Sequence, residues 1–168
     1  MKKSVFRKKI FIQKGFSLIE IVLGIGMLTV SMVSITSYYK KVLDVSNDTT
    51  SHIQSGFLLE EGLESVKMLR DQSWTTKIAA LSTTTSYYLY WSGTQWTATT
   101  SSQLVENTFV RSFRLTDVKR DASDNIANAG TYDPGTKKLT VYVAWSHKGT
   151  KNVATDTAET YITNLFNN

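Results

Sequence analysis

The chain of 168 residues contains no cysteine, so it has no disulfide framework, no thiolate metal site and no cysteine nucleophile. Proline is nearly absent as well. Its one occurrence, Pro134, lies in Asp133-Pro134-Gly135, which reads as a turn. No Gly-rich phosphate loop occurs, and neither His52 nor His147 has a serine nucleophile motif or a second metal ligand around it. Both read as surface or packing residues. Asp117, Asp121, Asp124 and Asp133, with Asn125 and Asn128 nearby, lack the spacing of an EF-hand loop. The sequence proposes no enzyme, no cofactor and no metal centre.

Acidic residues are missing from the front. Residues 1–15 hold Lys2, Lys3, Arg7, Lys8, Lys9 and Lys14 without an Asp or Glu, which leaves 13 basic against 14 acidic residues in the rest of the chain. The formal net charge of +5 therefore belongs to a leader and not to a binding face, and a nucleic-acid partner loses its main support. With 41% hydrophobic residues the chain has material for one core of ordinary size.

What is present begins with an apolar run. Residues 16–36, FSLIEIVLGIGMLTVSMVSIT, have the length a helix needs to cross a bilayer and carry one charge, Glu20. The basic leader places the N-terminus on the cytoplasmic side and the residues beyond the span outside, with Lys40 and Lys41 as a weaker opposing signal and Tyr38 and Tyr39 at the exit. A general secretory signal fits less well: the run is long, a carboxylate interrupts it, and no small-residue pair of the A-x-A kind comes after it. An isolated carboxylate in hydrocarbon costs about 2.5–3.5 kcal/mol on insertion scales, so Glu20 needs a partner. Gly24, Gly26, Ser31 and Ser34 are small enough for close helix approach.

Lys14-Gly15-Phe16-Ser17-Leu18-Ile19-Glu20, at the head of the apolar run, resembles the prepilin cleavage and methylation motif of type IV pilins and type II secretion pseudopilins. The resemblance implies a prepilin peptidase that cuts between Gly15 and Phe16 and N-methylates Phe16. Glu20 would then pair with a Phe16 amine, its own or a neighbouring subunit's, during filament assembly. The implied partners are other pilin subunits in a homo- or hetero-polymer, the peptidase, the membrane and the inner-membrane assembly platform. The implied location is the cytoplasmic membrane before assembly and an extracellular pilus or periplasmic pseudopilus after it.

Residues 40–70 keep Val42, Val45, Ile53, Gly56, Leu59, Leu63, Val66 and Leu69 at roughly helical intervals, so the helix is expected to continue as an amphipathic one. Ser46-Asn47-Asp48-Thr49-Thr50 is poor helix sequence, a place for a bend, a melted turn or a separate start, but one long helix, straight or bent, is the favoured reading. Residues 58–66, LLEEGLESV, extend the resemblance to the helix of minor pilins through an L-x-x-E-G-x-E-x-V pattern. Glu60, Glu61 and Glu64 read as a solvated face, with Lys67 nearby.

After Trp74 the composition turns to Thr, Ser, Tyr and Trp. Residues 86–98 read as a hairpin, Phe109, Arg111, Phe113 and Leu115 alternate with Val110, Ser112, Arg114 and Thr116, and Leu139, Val141, Val143 and Trp145 repeat the period of two. Residues 156–166 read as an edge strand. The expected fold is α+β: a long N-terminal helix packed on a C-terminal antiparallel β-sheet. Its segments are a leader at 1–15, a membrane or filament-core helix at 16–36, an amphipathic outer half at 37–73 and a sheet domain at 74–168. The aromatic hairpin also invites carbohydrate or receptor binding, although core packing explains aromatics in strands more simply. The leading function is a minor pilin or pseudopilin of a pilus, competence or secretion machine. The alternative is a single-pass, membrane-tethered extracytoplasmic binding or adhesion module.

Overall fold

The computed structural model describes residues 15–146 and 153–166. The basic leader up to Lys14 and His147 lie outside the described residues. One helix, α1 (Leu18–Gln72), precedes seven strands: β1 (Tyr87–Trp91), β2 (Trp96–Thr99), β3 (Leu104–Val105), β4 (Phe109–Arg120), β5 (Ile126–Ala127), β6 (Thr131–Ser146) and β7 (Val153–Thr163). The fold is α+β, a long helix packed on an antiparallel sheet.

The chain divides into two compact units that meet in sequence between Ser46 and Asn47, inside the polar stretch of poor helix formers. The helix is one long element, as favoured from the sequence: α1 keeps its helical hydrogen bonding through Thr50. Helix propagation from long stretches on both sides outweighs a few poor formers, and the Ser51 hydroxyl donates back to the Asn47 carbonyl at 3.1 Å.

In the second unit the strands run β2-β1-β4-β6-β7, with the short β3 and β5 also paired to β4. Every pairing is antiparallel. The order is not the order of the sequence, because β1 and not β2 joins β4 and the hairpin's second strand becomes an outer edge. β7 forms the other edge, as expected, although it begins at Val153.

Asp133-Pro134-Gly135 is no turn but part of β6. On β4, Asp117 faces Lys137 while the next residue, Val118, faces Asp133, so Pro134, Gly135 and Thr136 bulge out of that ladder. A bulge is where proline's missing N–H does least harm. Between helix and sheet, the single π-helical turn Thr75–Ala79 buries Ile78.

The core lies where the inner faces meet. Leu59, Val66 and Leu69 of α1 join Leu89, Phe109, Phe113, Leu115, Leu139, Val141, Val143, Trp145 and Ile162, with Trp74 and Ile78 closing one end. Each fully buried side chain of this size contributes about 1.5–3 kcal/mol. Gly62 sets how near the helix comes, since a Cβ there would stand 2.8 Å from Val141 Cγ1 and 3.2 Å from Arg111 Cδ.

Candidate functional site

The first unit carries the residues singled out by the motif. Gly15, Phe16 and Ser17 precede α1 in non-helical conformation, and Phe16 is 87% exposed. Glu20 occupies the first helical turn, where a carboxylate favours the positive end of the helix dipole. It also caps its own helix: the Ser17 amide donates to Glu20 Oε2 at 3.1 Å. The pair is one arm of an S-x-x-E capping box, a signal legible in the sequence that the motif comparison passed over.

Everything from Gly15 to Asn47 is exposed. Within this stretch lie Ile19, Val22, Leu23, Ile25, Leu28 and Val30, all large and apolar, and an 18-residue window of α1 reaches a mean hydropathy of 2.2 with none of it buried. By length and composition this helix is able to cross a membrane. Its hydroxyls are suited to apolar surroundings. Thr29, Ser31, Ser34, Thr36 and Ser37 each donate to the carbonyl four residues back, to Ile25, Met27, Val30, Met32 and Val33, at 2.8–2.9 Å. Each polar group is thus satisfied within the segment, as hydrocarbon requires. Gly24 and Gly26 have open space where a Cβ would sit.

Two polar clusters fasten the second unit. Arg111, on the buried face of β4, is 3% exposed; its Nη1 donates to Glu61 Oε2 at 2.6 Å, and its Cζ lies 5.2 Å from the centroid of the Trp96 ring. Glu61 is therefore an ion-pair partner to the sheet, whereas the expectation for Glu60, Glu61 and Glu64 was a solvated face. Glu64 does pair along the helix, with Lys67 at 2.7 Å.

The second cluster joins α1 to β7. Asp156 Oδ2 accepts from His52 Nδ1 at 3.0 Å and from the Ser55 hydroxyl, and the His52 ring stands edge-on to Trp145 with centroids 5.0 Å apart. Burial by itself would raise the Asp156 carboxyl, but the hydrogen bonds from Ser55 and His52 and the nearby imidazole hold it below the usual carboxylate range. Ser, His and Asp meet here without forming a nucleophilic triad. The Ser55 hydroxyl is wholly buried and bonds to the carboxylate, not to the imidazole. Sequence spacing could not find this cluster, because Asp156 is about a hundred residues from its partners.

The acids near the β4–β5–β6 end are committed to the protein itself. Asp121 accepts from the amides of Asn125 at 3.0 Å and Ser123 at 2.8 Å, which lower its carboxyl below the ordinary range. Asp133 pairs with Arg120 Nε at 2.6 Å, and Asp117 pairs with Lys137. Among the described residues no group of three or more His, Cys, Asp or Glu is placed to hold a metal ion. Compared with protein-family models, with curated proteins and with solved structures, the chain matches none of them.

Proposed function

We propose that the chain is a filament subunit of the type IV pilin kind, a minor pilin or pseudopilin that is cut before Phe16 and assembles through its N-terminal helix. The observation that carries the reading is the exposed apolar surface of residues 16–39, which bears a single charge, Glu20, within one turn of the cut. Such a surface requires apolar surroundings, and those can be lipid first and neighbouring helices afterwards. Cutting before the run, and not after it, removes the cationic leader and keeps the helix.

The cut also sets the chemistry at the tip. Hydrolysis of the Gly15–Phe16 peptide bond creates an amine at Phe16, one residue before the amide that Glu20 now accepts from. A carboxylate and an ammonium neutralise each other in an apolar polymer, where either alone is costly. The amphipathic part of α1 packed on the sheet, and the L-x-x-E-G-x-E-x-V segment that fits it there, support the same family.

Co-expression with a prepilin peptidase and mass spectrometry of the product test the reading. The expected mature chain begins at a methylated Phe16. An uncut chain, or one cut after the apolar run, overturns it.

A further inference from the structure

Within the second unit α1 buries Leu59, Gly62, Val66 and Leu69 against the sheet. The opposite side of the same turns carries a stripe at spacings of three and four: Ile53, Phe57, Glu60, Glu64 and Met68, all exposed. Phe57, at 68% exposure, is its largest apolar member. Glu64 is neutralised by Lys67 at 2.7 Å, whereas Glu60 makes no ion pair among the described residues. The stripe is therefore apolar with one uncompensated negative charge.

The first unit carries a stripe of the opposite sign. Tyr38, Lys41, Val42 and Val45 share one side of α1 by the same spacing, and all are exposed. Neither Lys41 nor Lys40 makes an ion pair among the described residues. Lys40 shares its side with Asp44, four residues on, so the charge left beside Tyr38 is positive. Of the two stripes, one lacks a cation beside its apolar residues and the other lacks an anion. Anionic lipid or nucleic acid suits Lys41 but is repelled by Glu60. A wholly apolar partner leaves Glu60 buried without a counter-charge.

We propose that the stripe of the second unit seats the stripe at residues 38–45 of a second copy, the two helices parallel, with Lys41 of one against Glu60 of the other. The inference rests on the filament reading above, in which neighbours cover the apolar helix of each copy. With Lys41 level with Glu60, the step of three residues back along each helix sets Tyr38 level with Phe57, so ring packs on ring one turn from the ion pair. The positions joined differ, so each copy offers one stripe to one neighbour and the other stripe to the next, and the contact propagates. In lipid, Lys41 lies at the outer end of the apolar run, where head groups solvate it. Glu60 takes over that role when the helix leaves the bilayer.

The chain has no cysteine, which leaves a clean background for cross-linking. In cells that carry a prepilin peptidase and make sheared filaments, the full-length Tyr38→Cys/Phe57→Cys chain is expected to give a ladder of linked copies on oxidation, and each single variant dimers at most. Lys41→Glu or Glu60→Lys alone is expected to lower the subunit in sheared filaments at least about tenfold, and the two together to restore most of it. That recovery also serves as the folding control, since both substitutions are present in it. Single reversals without effect, or a double reversal no better than the singles, overturn the proposal. So does the absence of a ladder from a chain that is cut before Phe16 and present in filaments, a result that leaves the filament reading standing. Ladder bands that contain another protein by mass spectrometry assign the stripe to a different subunit, and the proposal falls. A chain neither cut nor found in filaments overturns both readings.

Discussion

Arg111 on β4 and Glu61 on α1 are joined at 2.6 Å, with the guanidinium 3% exposed and the carboxylate half in solvent. The helix is thereby held to the sheet at the level of Gly62, where a Cβ would stand 2.8 Å from Val141 Cγ1. A guanidinium this deep depends on its partner, since an uncompensated buried charge costs more than the pair contributes.

Glu61→Ala is therefore expected to destabilise the sheet unit by about 1–3 kcal/mol, whereas Arg111→Met changes stability by less than about 1 kcal/mol. In the Arg111→Met background Glu61→Ala should cost little. Denaturant midpoints followed by tryptophan fluorescence give the full cycle; equal effects of Glu61→Ala in both backgrounds would refute the coupling.

Gly62→Ala gains up to about 1 kcal/mol of helix propensity, yet places a methyl 2.8 Å from the stiff Val141 side chain. Overpacking of this kind costs about 1–3 kcal/mol, so a net loss is expected. With Val141→Ala already present, the same change should be close to neutral. The same midpoints measure both.

The sign of the acid dependence is set by Asp156. Its folded carboxyl lies below its unfolded value, so its contribution is complete above about pH 4 and is lost as the pH falls through the folded value. Thermal unfolding from pH 6 downward should show a steeper acid limb in the parent than in Asp156→Asn. Parallel limbs would show that the Ser55–His52–Asp156 cluster plays no part in it.

Glu20→Val should leave leader removal and the unfolding of the sheet unit unchanged while reducing the amount of subunit in sheared filaments. Amounts equal to the parent's in the sheared fraction would sink the proposed role of the carboxylate.

The long strands β4 and β6 announced themselves through their period of two, and α1 through an apolar run and the spaced apolar residues beyond it, whereas the two-residue strands β3 and β5 left no such signal. Arg111 was legible only halfway. Its alternation placed it on the buried face, but its partner, Glu61, sits 50 positions earlier and reads locally as one of three solvated acids. Asp133-Pro134-Gly135 misled for a related reason: its local chemistry is that of a turn, and only the pairing of β6 with β4 on both sides of it makes it a bulge. The capping arm between Ser17 and Glu20 was fully local and needed no fold to be seen. The alignment of Thr99, Tyr88, Ser112, Tyr142 and Thr157 across the sheet exists only through the register of four strand pairings, which no single segment encodes.

Because Thr29, Ser31, Ser34, Thr36 and Ser37 turn their protons inward to their own helix, they offer a neighbouring helix no directional donor. Contacts along that stretch are left to shape and dispersion, which change little when one rod slips or swivels past another. In the filament proposed above, axial alignment along that stretch would therefore fall to the acidic group at the tip, Glu20.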